Sequence, residues 1–179
     1  MGNPEQTTFG TASVLLHWSI ALLCFVLLAM GFWMVDLDES HKWVFIAPFF
    51  HKLLGTLLLF LLIIRILWTK LTPPPAPLPH HKTWERKTAH LVHILLNLLL
   101  LVACVSGNVM LLATADRFSV HGAINLSDAL GVQNLKDLAH QTHSYIAYVL
   151  MGIILFHLFA VLKHTVIDKD KTFWRIFGK

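Results

Sequence analysis

The stretch Leu138–His164, LAHQTHSYIAYVLMGIILFHLFAVLKH, decides how this chain folds. It is long enough to cross a bilayer, since about 20 apolar residues in a helix span about 30 Å of hydrocarbon. His143 stands near its start and His157 stands fourteen residues later. At about 1.5 Å per residue the two imidazoles lie about 21 Å apart along the axis, and fourteen residues is close to four whole turns, so both share one face. One ring then sits towards each surface of a membrane. Ionisable side chains at such depth are costly and are read first as functional, with a partner to be named.

Working outward, the composition agrees with the helix. Of 179 residues, 56% are apolar and only 13% charged, which fits a small integral membrane protein and not a soluble domain. Apolar runs at about 14–35, 49–69, 88–113 and 140–166 predict an all-α fold, a transmembrane four-helix bundle occupying 1–179 as a single domain. The end, DKDKTFWRIFGK, mixes charges with Phe173, Trp174, Ile176 and Phe177, so 167–179 is expected to lie as an interfacial tail on the inner leaflet. The first run is expected to stay as a membrane helix: no Lys or Arg precedes it, it exceeds a signal core, and no small-x-small site follows.

The orientation follows from Lys and Arg near the helix ends. Lys70, Lys82, Arg86, Lys87, Lys163, Lys169, Lys171, Arg175 and Lys179 flank one end, and Lys42, Lys52, Arg117 and Lys136 the other. Nine against four places both termini in the cytoplasm. Read as bacterial, the chain is a multi-pass protein of the inner membrane with its other side facing the periplasm. LTPPPAPLP, from Leu71 to Pro79, is a stiff polyproline spacer on the cytoplasmic side. The connection from Ala113 towards Leu138 is long and mixed, with faint helical periodicity around Leu126 to Leu138, and is expected to cap the exterior face. Internal repeats and nucleotide-binding glycine loops are absent from the sequence, and nothing points to a nucleic-acid partner.

Two more histidines match the depths of the first pair. His17, in VLLHWSIALL, lies about a turn inside the cytoplasmic boundary, level with His157; His51 lies near the exterior surface, level with His143. Two pairs at two depths make two sandwich sites, each able to hold one iron between opposing imidazoles. A b-type haem fits such a site because it is flat and apolar, its propionates reach the polar boundary, and the protein need supply only axial ligands and surroundings. With both axial positions filled no iron position is open to substrate, so the sites are expected to move electrons. Zinc is a weaker fit, since a structural site wants four clustered ligands. Cys24 and Cys104 belong to no C-x-x-C-H, which excludes covalent c-type attachment and leaves them as small buried hydrophobes.

Other residues have two readings each. Gly55, one turn past His51, would let a flat macrocycle approach the backbone or would let helices pack closely. Arg65, on the face of His51 at the cytoplasmic end, would pair with a propionate or snorkel into the headgroups. His90 and His93 would contact a propionate or quinone, or make interfacial hydrogen bonds.

The residues resemble those of the bacterial cytochrome b-561 family of four-helix, two-haem inner-membrane proteins. The matching stretches are LLHW around His17, HKLLG from His51 through Arg65 into LWTKLTPPP, AHLVHILL around His93 followed by Gly107, and HSYIAYVLMGIILFHLFAVLKH from His143 to His164. The resemblance implies two haem b, with His17 and His157 as axial ligands of the cytoplasmic haem iron and His51 and His143 as those of the periplasmic one. Asn97 stands where the family usually has Tyr and Cys104 where it usually has Pro, so a straighter third helix is expected.

By the same resemblance, the chain is expected to pass electrons between a periplasmic donor and the quinone pool of the respiratory chain, with ubiquinone or another quinone as partner. Arg65, His93 and His164, with His90 beside them, are the residues placed to contact propionates or quinone. Some members resemble superoxide oxidases, quinone-linked oxidoreductases that take an electron from superoxide. The expected exterior acids Asp36, Asp38, Glu39, Asp116, Asp128 and Asp137 outnumber the exterior bases six to four, which suits a basic redox protein better, although Lys52 with nearby histidines would make a local basic patch. A reading of a different class is a haem-bearing membrane anchor subunit of a larger oxidoreductase. A metal or proton transporter would need facing carboxylates that the helices lack.

Overall fold

The computed structural model describes residues 8–113 and 132–178. Among these, four long helices run α1 Thr11–Val35, α2 Ile46–Leu71, α3 Thr83–Ala113 and α4 Val132–Leu162. A π-helical turn, Lys163–Ile167, and a one-turn helix α5, Thr172–Arg175, follow. Four stretches are long and apolar enough to cross a membrane: Thr11–Val35, Ile46–Leu71, Thr83–Leu112 and Asn134–Ile167. The chain is an all-helical, multi-pass membrane protein. The expected exterior cap, with Asp116, Arg117, Leu126 and Asp128, lies outside the described residues.

Each helix begins earlier than apolarity alone suggests. Pro48 sits in the first turn of α2, where its missing N–H loses no helical bond. At the start of α3 the Lys82 N–H donates to Glu85 Oε2 at 2.9 Å, a side chain reaching back over the first turn. The largest difference is in α4, which starts at Val132 and not near residue 140. Asn134, Lys136 and Asp137 make its first turns polar, so they are helical without adding to the apolar run.

The helices pair in chain order, α1 on α2, α2 on α3 and α3 on α4. Phe9 N–H to Arg175 O (3.5 Å) and Lys163 Nζ to Glu85 Oε1 (2.6 Å) bring the start of α1, the start of α3 and the end of α4 to one end, so the first and last described residues lie there. The tail packs on α1: Trp18 Nε1 donates to Ile176 O at 3.3 Å, and Trp18 and Phe177 rings are 4.7 Å apart. The core is narrow, built by Ile20 and Cys24 of α1, Leu58 and Leu62 of α2, Cys104 of α3 and Leu150 of α4. Among the described residues, Leu62 alone of the large side chains is wholly enclosed. Leu22, Phe60 and Phe159 point outward instead, which is stable in lipid because tails are as apolar as leucine. α3 runs without interruption through Cys104.

Candidate functional site

At the end away from the termini, His51 projects from the second turn of α2 and His143 from α4. Their ring centres are 6.0 Å apart with planes at 80°. His143 Nδ1 lies 2.8 Å from the carbonyl oxygen of Ala103. A carbonyl only accepts, so Nδ1 carries the proton and Nε2 keeps its lone pair. Ser106 Oγ, whose own proton is directed to the carbonyls of Val102 and Ala103, lies 3.3 Å from the same nitrogen. His51 Nδ1 is buried with no hydrogen-bond partner, a condition that costs about 1–3 kcal/mol in a protein interior.

The space around these rings is shaped by glycines. A Cβ on Gly31 of α1 would come within 3.3 Å of His51 Cε1, and one on Gly107 of α3 within 3.2 Å of His143 Cε1. Gly55, by contrast, faces open space. It lines a cavity of about 240 Å³ together with Gly31, His51, Gly107, His140 and His143. One ordered water needs only about 10–15 Å³, so the cavity accommodates a large group.

These residues fit a bis-imidazole haem. With metal–nitrogen bonds of about 2.0–2.1 Å, two imidazoles on opposite sides of one metal have ring centres about 6 Å apart, the separation His51 and His143 already hold. A ligating histidine almost always donates its other ring N–H to a carbonyl or carboxylate, as His143 does to Ala103.

Near the terminal end, α1 supplies His17, α3 His93 and α4 His157. The His93 and His157 ring centres are 5.3 Å apart. His17 Nδ1, like that of His51, is buried without a partner. The guanidinium of Arg65 is within electrostatic reach of all three histidines. The structure therefore gathers His17, His93, His157 and Arg65 at one level and His51 with His143 at the other. His90 lies close enough to His93 to interact electrostatically. His164 stands apart from this group, its Nδ1 2.9 Å from Asp168 Oδ2 and 3.0 Å from Asp170 Oδ2. Burial works to raise the Asp170 carboxyl, but hydrogen bonds from Thr172, His80 and His81 outweigh it and hold the group well below the usual carboxylate range.

Gly31, the Ala103 carbonyl and Ser106 carry no sequence signal that singles them out. A glycine in an apolar helix announces a close approach, but not to what. The family described as prokaryotic cytochrome b561 matches this chain over residues 8–179. The chain is also 36% identical over 177 residues to cytochrome b561 homolog 2 of Escherichia coli strain K12, a match covering 98% of this chain and 93% of that protein.

Proposed function

The chain belongs to the prokaryotic cytochrome b561 family of membrane electron carriers that bind haem b, and from that premise we propose that it carries electrons between a periplasmic donor and the quinone pool of a bacterial inner membrane. Two haem b per chain are held, one by His51 and His143 and the other by His17 and His157. The observation that carries this reading is the 6.0 Å separation of the His51 and His143 rings, each ring backed by a glycine. When bound, the two haems supply one-electron iron couples at two depths. Both termini are assigned to the cytoplasm, because the end that holds them is the lysine- and arginine-rich one.

The protein's own groups do the rest. Ala103 fixes the tautomer of His143 by accepting its Nδ1–H. Arg65 holds a positive charge beside His17, His93 and His157, suited to a propionate. His93, next to His157, is placed to donate to a propionate or to a quinone carbonyl. For His164, whose Nδ1 faces two carboxylates, such a contact has to use Nε2.

On the donor side, the cavity lining contains Lys52, His51, His140 and His143 and, among the described residues, no Asp or Glu. A small anion such as superoxide is drawn to such an opening, which supports a reading of the chain as a quinone-linked oxidoreductase of the superoxide oxidase type. Two superoxide anions give up one electron each and leave as dioxygen, while a quinone taking two electrons and two protons leaves as quinol. A second reading is supported by Asp36, Asp38 and Glu39 on the α1–α2 connection, an acidic rim suited to a basic redox protein. The test is a redox-titrated visible spectrum with a haem-to-protein ratio, followed by superoxide-driven quinol formation by the purified chain. Two haems and turnover without a second subunit are expected; one haem per chain overturns the ligand assignment, and a requirement for a second subunit favours an anchor role.

A further inference from the structure

At the terminal end, three histidines converge on one buried carboxylate. His80 and His81 come from the α2–α3 connection, His164 from the π-helical turn and Asp170 from the segment before α5. Asp170 Oδ2 lies 3.2 Å from His80 Nε2, 3.1 Å from His81 Nε2 and 3.0 Å from His164 Nδ1. Its side chain is only 5% exposed. The other oxygen, Oδ1, accepts the Thr172 backbone N–H at 2.8 Å, which fixes the carboxylate with Oδ2 towards the rings.

A carboxylate oxygen has about two lone-pair sites, and three imidazole nitrogens approach this one. Thr172 Oγ1, 3.1 Å from His81 Nε2, relieves one ring in the metal-free arrangement. The separations of Oδ2 from the His80 and His81 nitrogens are close to the about 3.3 Å between neighbouring ligands of a tetrahedral metal with bonds of about 2.0–2.1 Å. His80, His81 and Asp170 also bring all their ligand atoms within 4.8 Å of one another.

We propose that His80, His81 and Asp170 bind a divalent transition-metal ion of the zinc type, with His164 outside the ligand set and held to the same carboxylate. Two imidazoles and one carboxylate suit zinc, nickel or copper, whereas calcium and magnesium take oxygen ligands. Asp168, although 2.9 Å from His164 Nδ1, is engaged by the Lys163 ammonium at 2.7 Å and is the less available carboxylate. Thr172 acts as the outer partner that orients the Asp170 ligand. His80 is 57% exposed at its side chain and gives the ion a path from solvent. Bound there, the metal clips the α2–α3 connection to the tail, beside the 2.8 Å bond from Arg175 Nη2 to the carbonyl of Ala76. The site shares no ligand with either proposed haem, so it stands or falls independently of them.

The test uses the haem-loaded full chain in detergent, stripped with EDTA and titrated with zinc chloride alone. One zinc per chain is expected by calorimetry, with affinity lowered at least ten-fold in His81→Ala and in Asp170→Asn while the haem spectrum stays that of the wild type. Zinc-edge X-ray absorption of the wild-type chain provides a readout that needs no variant: a low-coordinate nitrogen and oxygen shell with imidazole scattering is expected. Absence of zinc binding, unchanged affinity in variants that keep their haem spectrum, or a shell of water-like oxygens would each overturn the proposal.

Discussion

His143 donates its Nδ1 proton to the carbonyl of Ala103 across 2.8 Å, tying α4 to α3 and leaving Nε2 as the ring's electron-pair donor. Replacing the ring removes one axial ligand and leaves the other site intact, because the pairs are about 21 Å apart along α4. His143→Ala and His51→Ala are each expected to halve the haem-to-protein ratio, as are His17→Ala and His157→Ala for the other site. A pyridine haemochrome assay against protein concentration checks this. Combining His143→Ala with His51→Ala should lose no more haem than either alone, whereas His143→Ala with His157→Ala should lose both.

Gly31 and Gly107 leave little room for a side chain against the two rings. A methyl at Gly107 would sit 3.2 Å from His143 Cε1, and one at Gly31 3.3 Å from His51 Cε1, both tighter than ordinary van der Waals contact. Gly107→Val and Gly31→Val are expected to displace the ring they touch, shifting the midpoint potential or abolishing binding of one haem only. Gly152→Ala, which meets nothing within 4 Å, is the silent control. A redox-titrated spectrum resolves the two components; equal disturbance of both would contradict the assignment of these glycines.

The outline of the fold and the histidine levels were legible because depth in a membrane is one-dimensional: residue count times rise fixes it. Rotation about each helix axis was not legible. Lipid-facing and core-facing positions are both apolar here, so Leu22 and Leu62 look alike in sequence although one is exposed and the other enclosed. That is why Gly31 and Ser106 carry no signal in the sequence while Gly55, tied to His51 within one helix, does. The cluster on Asp170 was hidden for another reason. His80 and Asp170 are separated by ninety residues, and only the folding of the tail against the polyproline connection brings them together.

Thr56 and Asn108 form a polar pair beside the same cavity, where Thr56 Oγ1 donates to Asn108 Oδ1 at 2.9 Å and Asn108 Nδ2 donates to the Cys104 carbonyl at 2.9 Å. Interhelical hydrogen bonds in membranes average about 0.6 kcal/mol and reach about 1.7 kcal/mol. Thr56→Val should therefore lower stability within that range while retaining both haems. Thermal unfolding in detergent, followed at the haem band, measures it. Loss of one haem in Thr56→Val would mean that the pair shapes the site itself.

Arg65 bears a fixed positive charge next to His17, His93 and His157. Oxidised iron carries one more positive charge than reduced iron, so a neighbouring cation disfavours the oxidised state and raises the potential. Arg65→Gln should lower the midpoint potential of the terminal-end haem alone, by on the order of tens of mV at an effective dielectric near 20. An equal shift at both components would place Arg65 elsewhere in the electrostatics, and no shift would return it to the headgroup reading.

Lys52 is the one Lys or Arg among the described residues lining the far-end cavity, which makes it the test of what enters there. If the donor is superoxide, Lys52→Glu reverses the local attraction and slows superoxide-dependent reduction several-fold at low salt, because steering depends on the sign of the field around the opening. Raising ionic strength to about 1 M, where the screening length falls to about 3 Å, should bring wild type and variant together. A basic redox protein docking on Asp36, Asp38 and Glu39 would respond in the opposite sense, being attracted more strongly by the added carboxylate. Stopped-flow reduction of the purified chain by each donor separates the two. Superoxide-driven rates indifferent to Lys52→Glu at low salt would remove the anionic donor from the proposal, whatever the haem content.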